Sequence, residues 1–213
     1  MRRIRRAGSR KSIVRIDCDA ELRKSAYDTG EKWCRPMSEK ADLSELHETV
    51  RGGERVLIRR VRSEDMALYQ DFLANVRAED LRLRFFAHVA ELSAAESDRL
   101  THLDYGHETA FIALDEDTGR ILGLVRLKDE LDERTAEFAI LVRSRLKGHG
   151  LGWLLMIRLI DYAKEKGLRR VYGDVLAENT IMLQMCAELG FRLQDIGSGI
   201  RRAVLDIENG RGR

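Results

Sequence analysis

Lys147-Gly-His-Gly-Leu-Gly152 is a glycine-rich stretch between a strand-like run, residues 137–142, and a long apolar helical pattern, residues 151–166. A turn of this kind presents several unpaired backbone N–H groups, and the positive end of a helix dipole, to one point in space. Such a point attracts a phosphate or diphosphate group, which glycines admit close to the backbone because they carry no Cβ. The stretch therefore predicts a strand–turn–helix junction that binds a phosphate-bearing ligand.

Two common phosphate-binding motifs do not fit the spacing of these glycines. A P-loop has Lys and then Ser or Thr directly after its second glycine, whereas here Lys147 precedes the glycines and Trp153 follows them. A dinucleotide fingerprint reads Gly-x-Gly-x-x-Gly. Counted from Gly148 or from Gly150, its third glycine falls on Trp153 or on Leu155. Both motifs are excluded.

Composition indicates one domain with an extension. The chain has 213 residues, of which 44% are hydrophobic and 35% charged, and its formal net charge is +2. This length suits a domain of about 100–200 residues with an appendage, and the small net charge argues against a general nucleic-acid binder.

No segment reaches the ~18 consecutive apolar residues of a membrane span, and none has the pattern of a signal peptide. The cysteines, Cys18, Cys34 and Cys186, show no disulfide framework, so we expect a cytoplasmic location.

The first 53 residues differ in composition from the rest. Residues 1–16 carry many basic side chains and no acidic one, and residues 17–50 contain Pro36 and little apolar periodicity before Gly52-Gly53. We predict a basic, poorly structured N-terminal extension over residues 1–53, a folded domain over residues 54–208 and a disordered tail over residues 209–213. Contact of the basic arm with an acidic partner or with nucleic acid is the alternative.

The folded part alternates between strand and helix patterns. Strands are predicted at residues 55–61, 109–114, 121–127, 134–142, 171–176, 191–193 and 201–207, and helices at residues 63–76, 81–86, 93–103, 151–166 and 179–189. The helix over residues 151–166 is apolar almost all round, which is expected when a helix covers a sheet face. This order predicts an α+β fold in which helices lie on both faces of a mixed central sheet.

The glycine-rich stretch resembles the acetyl-CoA diphosphate loop of the GNAT acetyltransferase superfamily, written Gln/Arg-x-x-Gly-x-Gly/Ala between a strand and a helix. Lys147 takes the Gln/Arg place, and Gly150 and Gly152 are the two glycines. A second register that begins at Arg145 fits the same pattern two positions earlier. We prefer the later register because its last glycine leads directly into the helix.

The resemblance extends over residues 55–206. The stretches that carry it are residues 82–86, 103–105, 136–139, 148–152 and 175–179. They look like the bacterial protein-lysine acetyltransferases whose GNAT domain is fused to an acyl-CoA-synthetase-like region or to a cyclic-nucleotide sensor. The resemblance implies a GNAT domain over residues 54–208 that acetylates a primary amine. The acceptor is a protein lysine or a small-molecule amine, and a non-catalytic acyl-CoA-binding or regulatory domain is the further alternative.

The same resemblance implies acetyl-CoA as co-substrate and indicates which residues contact it. The N–H groups of residues 148–152 would hold the diphosphate, and the side chains of Lys147 and His149 would add positive charge. The pantetheine arm would pair with the backbone at Leu141 and Val142, where one N–H would face the thioester oxygen. The implied cofactor-binding residues are Leu141, Val142, Lys147, Gly148, His149, Gly150, Leu151, Gly152 and Asn179. Asn179 could equally be an ordinary helix N-cap.

Acetyl transfer to a lysine needs a base. A lysine amine with a pKa of ~10.4 costs roughly 4–5 kcal/mol to deprotonate at pH 7, and a nearby carboxylate can take that proton. Glu137 shares a strand face with Ala139 and Leu141,, and its apolar neighbours are expected to desolvate it and raise its pKa. In the resembling proteins a glutamate of this strand is the base. The alternative is a structural glutamate that pairs with Arg134 or Lys128.

Many GNAT enzymes use a tyrosine of the last helix to protonate the departing thiolate, and Cys186 occupies that place here. A thiol with a pKa of ~8.5 could donate a proton, although a cysteine in a helix is more often a small buried hydrophobe. No metal site is expected, because His88, His102 and His107 lack the clustered partners of a zinc site,.

Overall fold

A mixed β-sheet forms the centre of the part of the chain that the computed structural model describes, which is residues 45–85, 108–130 and 134–207. Within these residues the strands are β1 (Glu45–Thr49), β2 (Arg55–Arg60), β3 (Glu108–Asp115), β4 (Ile121–Asp129), β5 (Thr135–Val142), β6 (Arg170–Leu176), β7 (Arg192–Gly197) and β8 (Ile200–Asp206). The helices are α1 (Met66–Ala74), α2 (Ala78–Phe85), α3 (Leu151–Lys166) and α4 (Thr180–Glu188). The strands lie in the order β1-β2-β3-β4-β5-β6-β8-β7.

Helices cover both faces of this sheet because its central strands are apolar on both sides. In β3, Phe111 and Ala113 pack against α3, whereas Ile112 and Leu114 pack against α1 and α2. Residues of α3 and α4 join the first of these cores, and residues of α1 and α2 join the second. The predicted α+β fold, with a mixed sheet and helices on both faces, is confirmed. Among the described residues, no helix is both long and apolar enough to cross a bilayer.

The sheet opens between β5 and β6, the parallel pair in this strand order. Their pairing ends at Glu137, which lies opposite Tyr172, although β5 continues to Val142 and β6 to Leu176. Phe138, the next residue of β5, places its ring against Gly173, the next residue of β6. The same ring makes an edge contact with Phe191 at a centroid distance of 5.4 Å. The aromatic contact therefore marks the point at which the two strands separate.

Gly173→Ala should destabilise the fold at this point. A Cβ at residue 173 would lie 2.6 Å from two atoms of the Phe138 ring, and overpacking of this kind costs about 1–3 kcal/mol. Denaturant unfolding followed by circular dichroism measures the change. A denaturant midpoint equal to that of the wild type would show that the Phe138 ring adopts another position without cost to stability.

Strand β1 corrects the predicted boundary of the N-terminal extension. Residues 45–49 pair with β2 in antiparallel register, and Val50 is buried in the core. The turn that follows uses Gly52 and Gly53 at φ of 109° and 88°. The prediction of a poorly structured segment is therefore wrong for residues 45–53. An edge strand that is half exposed shows no apolar run, which explains why the pattern failed there. The predicted helix over residues 93–103 and the terminal segments 1–44 and 209–213 lie outside the described residues.

Candidate functional site

The N-terminus of α3 lies at the end of the glycine-rich stretch and offers free N–H donors. Gly148 and Gly150 have φ of 80° and 89°, a backbone conformation that favours glycine. The first helical hydrogen bond runs from the N–H of Leu154 to the carbonyl of Gly150, at 3.1 Å. The N–H groups of Leu151 and Gly152 therefore have no intrahelical acceptor. This geometry suits an anion at the helix start.

Not all N–H groups of the stretch are available. The N–H of His149 donates to the carbonyl of Leu146 at 3.3 Å, and that of Lys147 donates to the carbonyl of Ser144 at 3.4 Å. Among the described residues no acceptor is found for the N–H groups of Gly148 and Gly150. Of the N–H donors predicted from sequence, that of His149 is therefore already bonded. The donors that remain are the N–H groups of Gly148, Gly150, Leu151 and Gly152.

The side chains of Lys147 and His149 contact groups outside this set of donors. The Lys147 ammonium lies 2.5 Å from a carboxylate oxygen of Asp80, a residue of α2. The carbonyl of His149 accepts the N–H of Arg51 at 3.1 Å, and its ring lies near Gly52 in the β1–β2 turn. In this structure Asp80 balances the charge of Lys147, and a contribution of Lys147 to the charge of the loop stays a prediction.

Gly152 keeps open a narrow space between β5 and α4. A Cβ at this position would point toward Met185 of α4 at 3.7 Å and Ile140 of β5 at 3.9 Å. These are ordinary contact distances, so the fold itself would tolerate a side chain here. The glycine leaves room beside the helix N-terminus for a ligand that enters the opening between β5 and β6. The residues present thus fit a diphosphate with an extended arm.

The backbone of β5 turns alternate polar groups toward the opening. The N–H of Arg143 donates to the carbonyl of Leu122 at 2.9 Å, and the carbonyl of Thr135 accepts the N–H of Glu130 at 2.8 Å. The backbone N–H and C=O groups of the odd-numbered residues of β5 therefore face β4. Ile140 and Val142 therefore present their N–H and C=O groups to the open edge. The prediction for Val142 fits this geometry, whereas that for Leu141 does not. Ile140 was not among the predicted residues, because strand parity becomes known only once the paired edge of β5 is known.

Glu137 lies where β5 and β6 part. Its side chain is half-buried and shares a strand face with Leu141, which belongs to the core under α1 and α2,. Lys128 is directly opposite in β4, yet no ion pair joins these two described residues. A carboxylate at the apex of the opening can reach a ligand group in it.

A polar cluster on the neighbouring strands includes Tyr172, which lies opposite Glu137 in β6. Burial raises the pKa of Tyr172, and its hydrogen bond to the Glu130 carboxylate raises that pKa further. The Arg202 guanidinium lies 4.8 Å from the centre of the Tyr172 ring. It also donates two hydrogen bonds, of 2.7 and 2.8 Å, to Asp174. These residues were not predicted from the sequence, because only the pairing of β6 and β8 in the sheet brings them to the side of β5.

Two further predicted residues lie in α4 or at its start. The Asn179 side chain accepts the N–H of Met182 at 3.3 Å, so this residue is the N-cap of α4. Cys186 is 0% exposed in the core beneath α3, and burial raises the pKa of its thiol to about 12. A side chain with no exposed surface cannot touch a ligand in the opening, which contradicts the predicted role of Cys186 as an acid.

Within the described residues, no cluster of three or more His, Cys, Asp or Glu side chains could hold a metal ion.

The family model described as "Acetyltransferase (GNAT) family" matches residues 74–191. A relative named as an acetyltransferase of Pseudomonas aeruginosa is 33% identical over 146 residues, which cover 68% of this chain and 78% of that protein.

Solved structures show the same architecture. The GNAT domain of S. lividans PAT matches with a TM-score of 0.71 and 25% identity, covering 79% of this chain and 100% of that chain. The spermidine N-acetyltransferase from Vibrio cholerae, solved in complex with CoA and spermine, matches with a TM-score of 0.58 and 21% identity. That match covers 71% of this chain and 95% of that chain, and it concerns the fold alone.

Proposed function

Because this chain belongs to the acetyltransferase (GNAT) family, we propose that it acetylates a protein lysine by direct attack of the amine on acetyl-CoA in a ternary complex. Membership of the family makes the chain an acetyl-CoA-dependent N-acetyltransferase. The observation that supports the mechanism most strongly is the position of Glu137. It lies where the pairing of β5 with β6 ends, on the strand that leads to the glycine-rich stretch.

Binding of the co-substrate uses backbone groups on both sides of the opening. The N–H groups of Gly148, Gly150, Leu151 and Gly152 hold the diphosphate, where the dipole of α3 favours negative charge. The open edge of β5, at Ile140 and Val142, pairs with the amide-rich arm in the manner of an added strand. Acetyl-CoA bound in this way supplies the activated acetyl thioester.

Glu137 takes the proton from the acceptor ammonium, directly or through one water. The carboxylate is half-buried, and no ion pair to Lys128 engages it among the described residues. A backbone N–H of the open β5 edge is aimed at the thioester oxygen, where negative charge develops. Of Leu141 and Val142, the two residues that the resemblance implies, strand parity favours Val142 for this N–H.

The departing thiolate takes its proton from solvent, because Cys186 is enclosed in the core. Cys186→Ala should therefore leave kcat within about twofold of the wild type. The same change should lower the free energy of unfolding by about 1 kcal/mol, since it removes a buried sulfur. Steady-state kinetics and thermal unfolding check both expectations. A fall in kcat of tenfold or more with unchanged stability would indicate that Cys186 does act as the acid that protonates the departing thiolate.

A small-molecule polyamine is the second candidate acceptor. The structural neighbour from Vibrio cholerae holds spermine together with CoA. Tyr172, which lies opposite Glu137 in β6, donates a hydrogen bond to the carboxylate of Glu130, and acidic groups on one face of a site favour a cationic amine. The resemblance to protein-lysine acetyltransferases over residues 55–206 favours the protein acceptor instead.

Release of CoA in the presence of acetyl-CoA tests this function. Lysine peptides, intact host proteins and spermidine are compared as acceptors, with each product located by mass spectrometry. Acetylated lysines on host proteins support the proposed acceptor, and turnover confined to spermidine favours the polyamine. Binding of acetyl-CoA without CoA release on any acceptor would instead identify a non-catalytic acyl-CoA-binding domain.

A further inference from the structure

The segment that joins β5 to the diphosphate loop is fixed to the helices on the other face of the sheet. Arg143 is buried and donates to the Ile121 carbonyl at 2.6 Å and to Asp71 of α1 at 2.5 Å. The hydroxyl of Ser144 accepts the N–H of Arg77 at 2.9 Å. These contacts connect the base of the loop to α1 and to the start of α2.

Asp80 makes the central contact of this junction. One carboxylate oxygen accepts the Ser144 hydroxyl at 2.5 Å, and the other accepts the Lys147 ammonium at 2.5 Å. The Asp80 side chain is only 11% exposed. Burial acts to raise the pKa of Asp80, but the hydrogen bonds from Lys147 and Ser144 outweigh it and hold that pKa below its usual value. The carboxylate is therefore ionised at neutral pH, and loss of its donors would leave a nearly buried charge uncompensated.

Helix α2 is also connected to the opposite side of the opening. The Arg82 guanidinium lies 2.6 Å from the carboxylate of Glu178, which follows β6 and immediately precedes Asn179. Leu81 of α2 packs in the same core as Leu141 of β5, so α2 lies on the sheet face that carries Glu137. Through Asp80 and Arg82, this helix is attached to the segments that follow the two strands that part at the opening.

The two attachments differ in strength. The pair of Arg82 and Glu178 is 45% and 54% exposed, and exposed pairs contribute little because solvent screens them. The contact at Asp80 is nearly buried and has two donors. The Asp80 end is therefore the fixed end of α2, and the Arg82 end is the one that can release.

We propose that Asp80 is a positioning residue that couples the diphosphate loop to α2, so that CoA bound in the loop further restrains this helix on the sheet face that carries Glu137. This rests on the cofactor site of the proposed function. Lys147 remains bound to Asp80 and is not a phosphate ligand, and the coupling passes from the loop backbone through Lys147 and Ser144 to Asp80.

Hydrogen exchange with mass spectrometry tests the coupling in the full chain, with and without saturating CoA. In the wild type, CoA should slow exchange at residues 148–156 and, by about fivefold or more, at residues 78–85. Asp80→Ala should keep the slowing in the loop and lose it in α2. The matched control is Glu79→Ala, which removes an exposed acid from the same first helical turn and should behave as the wild type.

Slowing of α2 exchange by CoA in Asp80→Ala, or its absence in the wild type with a protected loop, would overturn the coupling. Should Asp80→Ala melt far below the wild type, Lys147→Met replaces it, and the slowing in α2 should then be clearly smaller than in the wild type, because only the Ser144 contact remains. An unprotected loop in the wild type, with no heat of CoA binding, would instead overturn the cofactor site itself.

Discussion

Glu137→Gln should lower kcat for acetyl transfer by about 10²–10⁴-fold, the usual contribution of a general base. Glutamine keeps the size of the side chain but cannot accept the proton of the acceptor ammonium. Free amine must then come from solution, so the activity of the variant should rise more steeply with pH than that of the wild type. Steady-state kinetics from pH 6 to 9, with calorimetry of acetyl-CoA binding, give both quantities.

The matched control for this variant is Glu165→Gln, which changes an exposed carboxylate in the last turns of α3 and should leave kcat unchanged. Acetyl-CoA should bind both variants as it binds the wild type, since neither carboxylate contacts the loop donors. Full turnover of Glu137→Gln with normal binding would remove this residue from the mechanism.

Gly152→Ala should weaken CoA binding by about tenfold or more without harm to the fold, because the loss of one good polar contact is worth ~1.4 kcal/mol. The added methyl group would stand in the space between Ile140 and Met185, at distances that the protein itself tolerates. Alanine is also the better helix former by about 1 kcal/mol. Stability should hold or rise while affinity falls, which calorimetry and thermal unfolding measure separately.

Gly167→Ala is a control with the opposite expected result: a loss of stability without a change in CoA affinity. Gly167 ends α3 at a φ of 79° with open space around a Cβ, so alanine there is strained by roughly 1 kcal/mol. This variant should lose stability and bind CoA as before. Equal CoA affinity of Gly152→Ala and the wild type would mean that the ligand does not pass beside this residue.

Much of the fold follows from local patterns in the sequence. The apolar helix over residues 151–166 and the strands on either side of it were predictable, because a long run of helical spacing next to Gly150 and Gly167 leaves few alternatives,. Strand β1 could not be predicted, since it is an edge strand whose side chains alternate between half-buried and exposed. The exposure of an edge removes the apolar period on which strand prediction depends.

The site was predictable to the level of the segment but not of the atom. Glu137 and the loop follow from strand alternation and glycine spacing. The preference for Ile140 and Val142 over Leu141 depends on which edge of β5 is paired, which only the Arg143 and Thr135 hydrogen bonds determine. The partner of Lys147 is 67 residues away in sequence, so no local pattern indicates that its charge is already balanced.

Calorimetric titration of the wild-type chain with CoA and with pantetheine, which lacks the diphosphate, tests the binding site at the start of α3 most directly. CoA should bind saturably and at least about tenfold more tightly than pantetheine, a difference of ~1.4 kcal/mol or more. Equal affinities for the two ligands, or no heat with CoA at millimolar concentration, would contradict a diphosphate held by the backbone N–H groups of Gly148, Gly150, Leu151 and Gly152.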